Sequence, residues 1–139
     1  MIDLLSNNGK KVYLIGGPDD RDCIETIVNK VSSDKFINLC GKTRNLKELA
    51  EIISSKEIFL CSDSAPLHIA VALKIKTFVI FGPTDDKKLV PQSKDVIAIK
   101  STSDCPLRPC LWEKRHITCE KLDCLDIKVE EIVKKIMEQ

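Results

Sequence analysis

Short apolar runs alternate along this chain with segments whose apolar residues fall three and four apart, and no other feature limits its fold so narrowly. The runs are 11–16, 36–40, 57–61, 77–81 and 95–99. Continuous apolar runs of this length suit strands of a parallel sheet buried on both faces. Between them, Cys23, Ile24, Ile27, Val28 and Val31 follow helical spacing, as do Leu46, Leu49, Ala50, Ile52 and Ile53. Thr43 or Asn45 caps that second helix. A third helix starts at Ser62-Asp63-Ser64-Ala65-Pro66, with Leu67, Ala70, Val71 and Leu73 as its apolar face. Parallel strands need crossover helices, so the alternation predicts a doubly wound, Rossmann-like parallel α/β sheet. Right-handed crossovers put helices on both faces.

The chain reads as one domain, residues 1–139. After residue 100 the alternation stops. An irregular, cysteine-containing loop is expected over 101–125, and a closing helix over 128–138 with Val129, Ile132, Val133 and Ile136 on one face. The composition is 43% hydrophobic and 31% charged, which excludes disorder, and a net charge of +1 gives no basic excess for nucleic acid. No run approaches the roughly 20 apolar residues of a membrane span. Met1-Ile2-Asp3-Leu4-Leu5 lacks the parts of a signal peptide, so the expected location is the cytoplasm.

Ligands of doubly wound sheets sit at the carboxyl ends of the strands, which directs attention to residues 16–20, 40–43, 61–66 and 82–86. Cys61-Ser62-Asp63-Ser64-Ala65-Pro66-Leu67-His68 runs from a strand into a helix. Ser64 has N-cap chemistry and Pro66 suits a first helical turn. Such a helix start can hold an anion, with His68 one turn inside; it can equally be a capped helix with a surface histidine. Phe81-Gly82-Pro83-Thr84-Asp85 ends the next strand and by itself reads as a turn. Gly16-Gly17-Pro18-Asp19-Asp20 is not a dinucleotide fingerprint, and no G-x-x-x-x-G-K-[ST] loop occurs. Asp19 and Asp20 suit the positive end of the helix that follows.

Cys105, Cys110, Cys119 and Cys124 read C-x4-C, eight residues, C-x4-C. Paired zinc ligands are usually about two to four residues apart, so this spacing is loose for a four-thiolate site; reduced thiols in a packed loop are the simpler reading. Cys23, Cys40 and Cys61 lie in apolar patterns and are expected in the core.

Taken in order, the segments resemble glycosyltransferase family 9, the heptosyltransferases of lipopolysaccharide core assembly. Val12-Tyr13-Leu14-Ile15-Gly16-Gly17-Pro18-Asp19 resembles that family's strand and G-G-P-x turn. Asn38-Leu39-Cys40-Gly41-Lys42-Thr43 resembles N-L-x-G-K-T, Asp63-Ser64-Ala65-Pro66-Leu67-His68-Ile69-Ala70 resembles D-[ST]-G-P-x-H-[LI]-A, and Phe81-Gly82-Pro83-Thr84-Asp85 resembles F-G-P-T-D. The resemblance implies the C-terminal, donor-binding half of a two-domain GT-B enzyme. It implies that Asp63, Ser64, Ala65 and His68 hold the donor's diphosphate and sugar, and that Thr84 and Asp85 border the sugar. Gly17, Cys40, Gly41, Lys42 and Thr43 would line the nucleotide. Its implied partners are a nucleotide-diphosphate sugar, ADP-heptose favoured, an N-terminal acceptor domain, and a lipid-linked saccharide at the inner face of the cytoplasmic membrane. No cofactor or metal is implied. The catalytic aspartate and a linker lysine belong to the acceptor domain side, so no catalytic base is assigned here. Alternatives are a non-catalytic nucleotide-sugar-binding module, half of a GT-B sugar-nucleotide epimerase, or a zinc-stabilised interaction domain. Two departures stand out: Ala65 replaces a glycine, and Lys74-Ile75-Lys76 replaces a Gly-x-Pro linker, leaving the third helix without a glycine C-cap.

Overall fold

A computed structural model describes residues 1–91, 93–111, 119 and 122–139. The order is α1 (Ile2–Asn7), β1 (Val12–Leu14), α2 (Arg21–Val28), β2 (Phe36–Asn38), α3 (Leu46–Ser54), β3 (Ile58–Ser62), α4 (Ala65–Ala72), β4 (Lys76–Phe81), α5 (Asp86–Leu89), β5 (Val96–Lys100) and α6 (Val129–Met137). The expected strands and helices are present. α1 and α5 were not foreseen, because elements of six and four residues are too short to display a period. No helix among the described residues is long and apolar enough to cross a membrane.

The chain divides into two compact units, Met1–Leu49 with Val133–Gln139, and Ala50–Ile132. In the first, β1 and β2 pair in parallel with Val12 opposite Phe36. α1 lies against β1, and Lys35 joins Asp3 at 2.7 Å. Asn45 caps α3, its side-chain oxygen accepting from the Glu48 amide at 3.0 Å.

In the second unit β3, β4 and β5 are all parallel, with β4 in the middle. Phe78, Val79 and Phe81 on β4 are fully buried. Neighbouring strand residues point to opposite faces, so Phe78 and Val79 together show burial on both faces, the pattern of a parallel strand. Leu67 of α4 packs with Val79 and Phe81, flanked by Cys61, Val71, Leu89, Val90, Val96 and Ala98. Among the described residues Thr77 is the buried polar exception; its hydroxyl donates to the Ile75 carbonyl at 2.7 Å.

α4 ends on Lys74, whose φ of 56° is left-handed. The Lys74 amide donates to the Val71 carbonyl and the Ile75 amide to the Ala70 carbonyl, both at 3.0 Å. These two bonds are a Schellman motif, which ordinarily places glycine where Lys74 stands. The missing glycine has therefore not changed how the helix ends; it has left a side chain in a strained conformation.

Several burial expectations are corrected. Cys23 is exposed, because Ile24 is the residue α2 buries. Cys40 and Cys61 are half-buried, and Cys124 is the buried thiol. Leu73 and Val129 are partly exposed, each at the end of its helix's buried stripe.

Candidate functional site

In the first unit the residues following β1 and β2 are stitched together. The Leu39 amide donates to the Leu14 carbonyl at 2.8 Å and the Gly41 amide to the Gly16 carbonyl at 2.9 Å, which carries parallel pairing beyond both strands. The Cys40 amide donates to the Asn38 side chain at 3.0 Å, and its thiol to the Gly17 carbonyl at 3.3 Å. Gly17, Cys40 and Gly41 are thus brought together at the strands' carboxyl ends, with Lys42 and Thr43 continuing the turn. Gly41 has φ of 66°, and a methyl group there would meet Arg21 Nε at 3.0 Å. The Arg21 guanidinium therefore lies against this loop, a cation that no motif had flagged. Asp20 sits at the α2 N-cap but turns its carboxylate back to accept from the Gly17 amide at 2.7 Å. It shapes the turn rather than capping the helix.

In the second unit Asp63, Ser64, Ala65 and His68 follow β3. Ser64 occupies the N-cap position of α4 with extended backbone, but its hydroxyl donates back to the Ser62 carbonyl at 3.2 Å and caps nothing. The expected side-chain cap is absent. Pro66 has no N–H, and the Leu67 amide is taken by the Ser64 carbonyl at 3.0 Å. The helix start is therefore left without the side-chain acceptor that would compete with an anion for it. His68 is exposed on the solvent side of the first turn while Leu67 is fully buried. The Asp63 charge reaches back to Cys61, whose thiol is pushed up to about 12, by burial first and by Asp63 second.

Thr84 and Asp85 follow β4. Asp85 caps the four-residue α5, accepting from the Lys87 amide at 3.0 Å. The segment after β5 locks this loop in place. The Cys110 and Leu111 amides donate to the Pro83 carbonyl at 2.9 and 3.3 Å. Arg108 donates to the Phe81 and Ser101 carbonyls at 3.3 and 3.4 Å. Leu125 covers Gly82 so closely that a methyl group there would come within 2.5 Å of its Cδ2. A depression of about 350 Å³ opens here, walled by Thr84, Asp85, Lys100 and Arg108 among others. Lys100 stands at the carboxyl end of β5, where the strand-end rule could have found it. Arg108 had no sequence signal, since its role depends on a return of the chain that has no period.

All seven cysteines are free, and Cys119 is exposed. Among the described residues no group of three or more His, Cys, Asp and Glu side chains is placed to hold a metal ion. Burial raises the Cys124 thiol's pKa, with Arg108 acting in the opposite sense and Cys110 and Cys119 in the same sense. Trp112 and His116 lie outside the described residues.

A family model described as glycosyltransferase family 9 (heptosyltransferase) matches residues 1–118. Lipopolysaccharide heptosyltransferase 3 of Escherichia coli strain K12 is 36% identical over 99 residues, 70% of this chain and 28% of that protein. Lipooligosaccharide heptosyltransferase 2 of Campylobacter jejuni (serotype O:6) is 33% identical over 111 residues, 77% of this chain and 33% of that protein. The chain thus spans 28% and 33% of the length of these two curated relatives. Two solved structures share the fold. That of E. coli ADP-heptose lps heptosyltransferase II superposes with a TM-score of 0.77 at 20% identity, covering 99% of this chain and 38% of the other. That of a family 9 glycosyl transferase from Veillonella parvula gives 0.77 at 18% identity, with 99% and 39% covered. The parallel α/β class expected from the apolar runs is borne out.

Proposed function

The chain belongs to glycosyltransferase family 9, and from that premise we propose that it is the donor-binding part of a heptosyltransferase-like enzyme that moves a sugar from a nucleotide diphosphate to a lipopolysaccharide-type acceptor. In this reading Asp63, Ser64, Ala65 and His68 receive the diphosphate and sugar, Thr84 and Asp85 border the sugar, and Gly17, Cys40, Gly41, Lys42 and Thr43 line the nucleotide. ADP-heptose is the favoured donor. The base that deprotonates the acceptor hydroxyl would come from an acceptor domain, so these residues do not complete the transfer by themselves.

One observation carries the proposal: the turn from β3 into α4. Its helix start has no side-chain cap, and an exposed histidine stands one turn inside it. When the bond to the sugar breaks, negative charge collects on the departing diphosphate. The positive end of a helix dipole fixed beforehand stabilises that charge without reorganising. A ring N–H of His68 would add a hydrogen bond. Ala65 puts a methyl group where the family pattern has glycine, which narrows the approach of a phosphate to the backbone and favours donors that sit higher in the turn.

The test is an NMR titration of the isotopically labelled chain with ADP, UDP, GDP and ADP-heptose, beside an Asp63→Ala variant. Expected are shifts at residues 40–43 and 61–68, largest for the adenine ligands and lost in the variant. Absence of shifts with every nucleotide at millimolar concentration would refute donor binding by this chain.

A further inference from the structure

The depression between the carboxyl ends of β4 and β5 contains more cationic chemistry than the motif reading uses. We propose that it is an anion-accepting subsite, taking a phosphate group, with Arg108 and Lys87 as its charged contacts.

Arg108 is the first support. Its guanidinium is half-buried and tethered by two main-chain carbonyls, Phe81 at one strand end and Ser101 just past the other. Guanidinium has five N–H donors, and these two bonds leave the rest of the fork available. Among the described residues no carboxylate pairs with Arg108. A half-buried charge with no counter-ion among those residues is costly, and a ligand anion would relieve that cost. The tether also fixes the fork's orientation in advance, so little side-chain entropy is lost when an anion binds.

The rest of the wall is consistent with this. The depression is lined by three cations, Lys87, Lys100 and Arg108, against two carboxylates. Both carboxylates are already engaged. Asp86 pairs with Lys100 at 2.8 Å, while Asp85 accepts from the Lys87 amide at 3.0 Å and lies 3.9 Å from Lys88. The Lys87 ammonium has no carboxylate partner among the described residues. Thr84 and Ser101 add hydroxyls at the same wall, and Ser101 Oγ accepts from the Ser103 amide, leaving its proton to donate. A volume of about 350 Å³ is enough for a sugar phosphate. The bland alternative is that Arg108 only locks the 82–86 loop. That role explains its two carbonyl bonds but not the accompanying Lys87 and the open space before them.

Phosphate could reach the subsite on a phosphorylated saccharide or as the diphosphate of a nucleotide. The labelled chain would be titrated with inorganic phosphate, glucose 6-phosphate and ADP at constant ionic strength, against chloride as control. Expected are saturable shifts of the Thr84, Lys87 and Ser101 amides with inorganic phosphate and with glucose 6-phosphate, retained in Asp63→Ala, which separates this subsite from the helix start. Lys87→Gln should weaken the affinity about threefold, as for an exposed charge. Arg108→Lys, which keeps the charge but loses the fork, should weaken it about tenfold. Lys87 is exposed and its side chain makes no hydrogen bond or ion pair among the described residues, so its variant remains informative if Arg108→Lys disturbs the loop. Saturation by ADP alone, with none by phosphate or glucose 6-phosphate, overturns a phosphate subsite separate from the donor's diphosphate. Shifts matched by chloride, or unchanged in Lys87→Gln, overturn it.

Discussion

Lys74 offers a stability test whose sign follows from one dihedral angle. At φ of 56° its Cβ crowds the following carbonyl, a conformation that costs an L-residue about 1–2 kcal/mol. Lys74→Gly removes that cost. Glycine also gains freedom in the unfolded chain, which returns roughly 0.5–1 kcal/mol of the benefit. The Schellman bonds from Lys74 and Ile75 are main-chain bonds and survive the change. Lys74 is exposed, so little side-chain packing is lost. The net expectation is about 0.5–1 kcal/mol of added stability. Unfolding entropy of about 2.1 cal/mol/K per residue, over 139 residues, converts this to a Tm rise of roughly 2–3 °C. Urea unfolding followed by circular dichroism would read the same gain as a shifted midpoint at unchanged slope. Lys74→Ala is the control: it keeps the strain and should lie within about 0.5 kcal/mol of the parent. A glycine variant no more stable than the parent, or an alanine variant that gains as much, would refute strain as the cause.

Two further predictions concern the second unit. Thr77→Val keeps the shape of a fully buried side chain but leaves the Ile75 carbonyl without the hydroxyl it accepts from, so it should destabilise by about 1–2 kcal/mol; a neutral result in urea unfolding would mean another donor reaches that carbonyl. Cys61, raised to about 12, should be alkylated by iodoacetamide at pH 8.5 far more slowly than exposed Cys23 and Cys119, with peptide mass mapping as the readout and equal rates as the refuting result. The same shift has a sign for stability. Above about pH 8.5 the unfolded chain loses this proton while the folded chain keeps it, so the contribution of Cys61 to stability falls as pH rises from there toward 12.

What could be read from the sequence depended on whether a residue's role is local. β4 was legible because Phe78-Val79-Ile80-Phe81 is apolar at every position, and only a strand covered on both faces tolerates that. α3 was legible because its period and its Asn45 cap agree. The strand-end turns were legible as positions, since each follows an apolar run directly. Their finer chemistry was not. Ser64 has the composition of a cap, yet a serine hydroxyl is free to choose between neighbouring backbone acceptors and donors, and here it turns to Ser62. Cys23 looked like core because it begins an apolar spacing, but a register one residue later puts Ile24 inside. Arg21 and Arg108 escaped altogether. Each matters through contact with a segment distant in the chain, Gly41 for one and the ends of β4 and β5 for the other, and no local pattern encodes such a meeting.

The central place of β4 in its sheet also fixes a timescale. Its main chain is bonded to β3 on one side and to β5 on the other, and Thr77, Phe78, Val79 and Phe81 are closed to water. Amides in such a strand exchange with deuterium only when the whole unit opens, whereas those of a frayed edge exchange through small local excursions. Phe81, the last residue of that strand, leads straight into Gly82, Pro83 and Thr84. The loop that borders the depression is therefore mounted on the slowest-breathing segment of its unit. Among the described residues, α5, which supplies Asp86 and Lys87 to the wall, is the part free to shift for a ligand, while the strand beneath stays still.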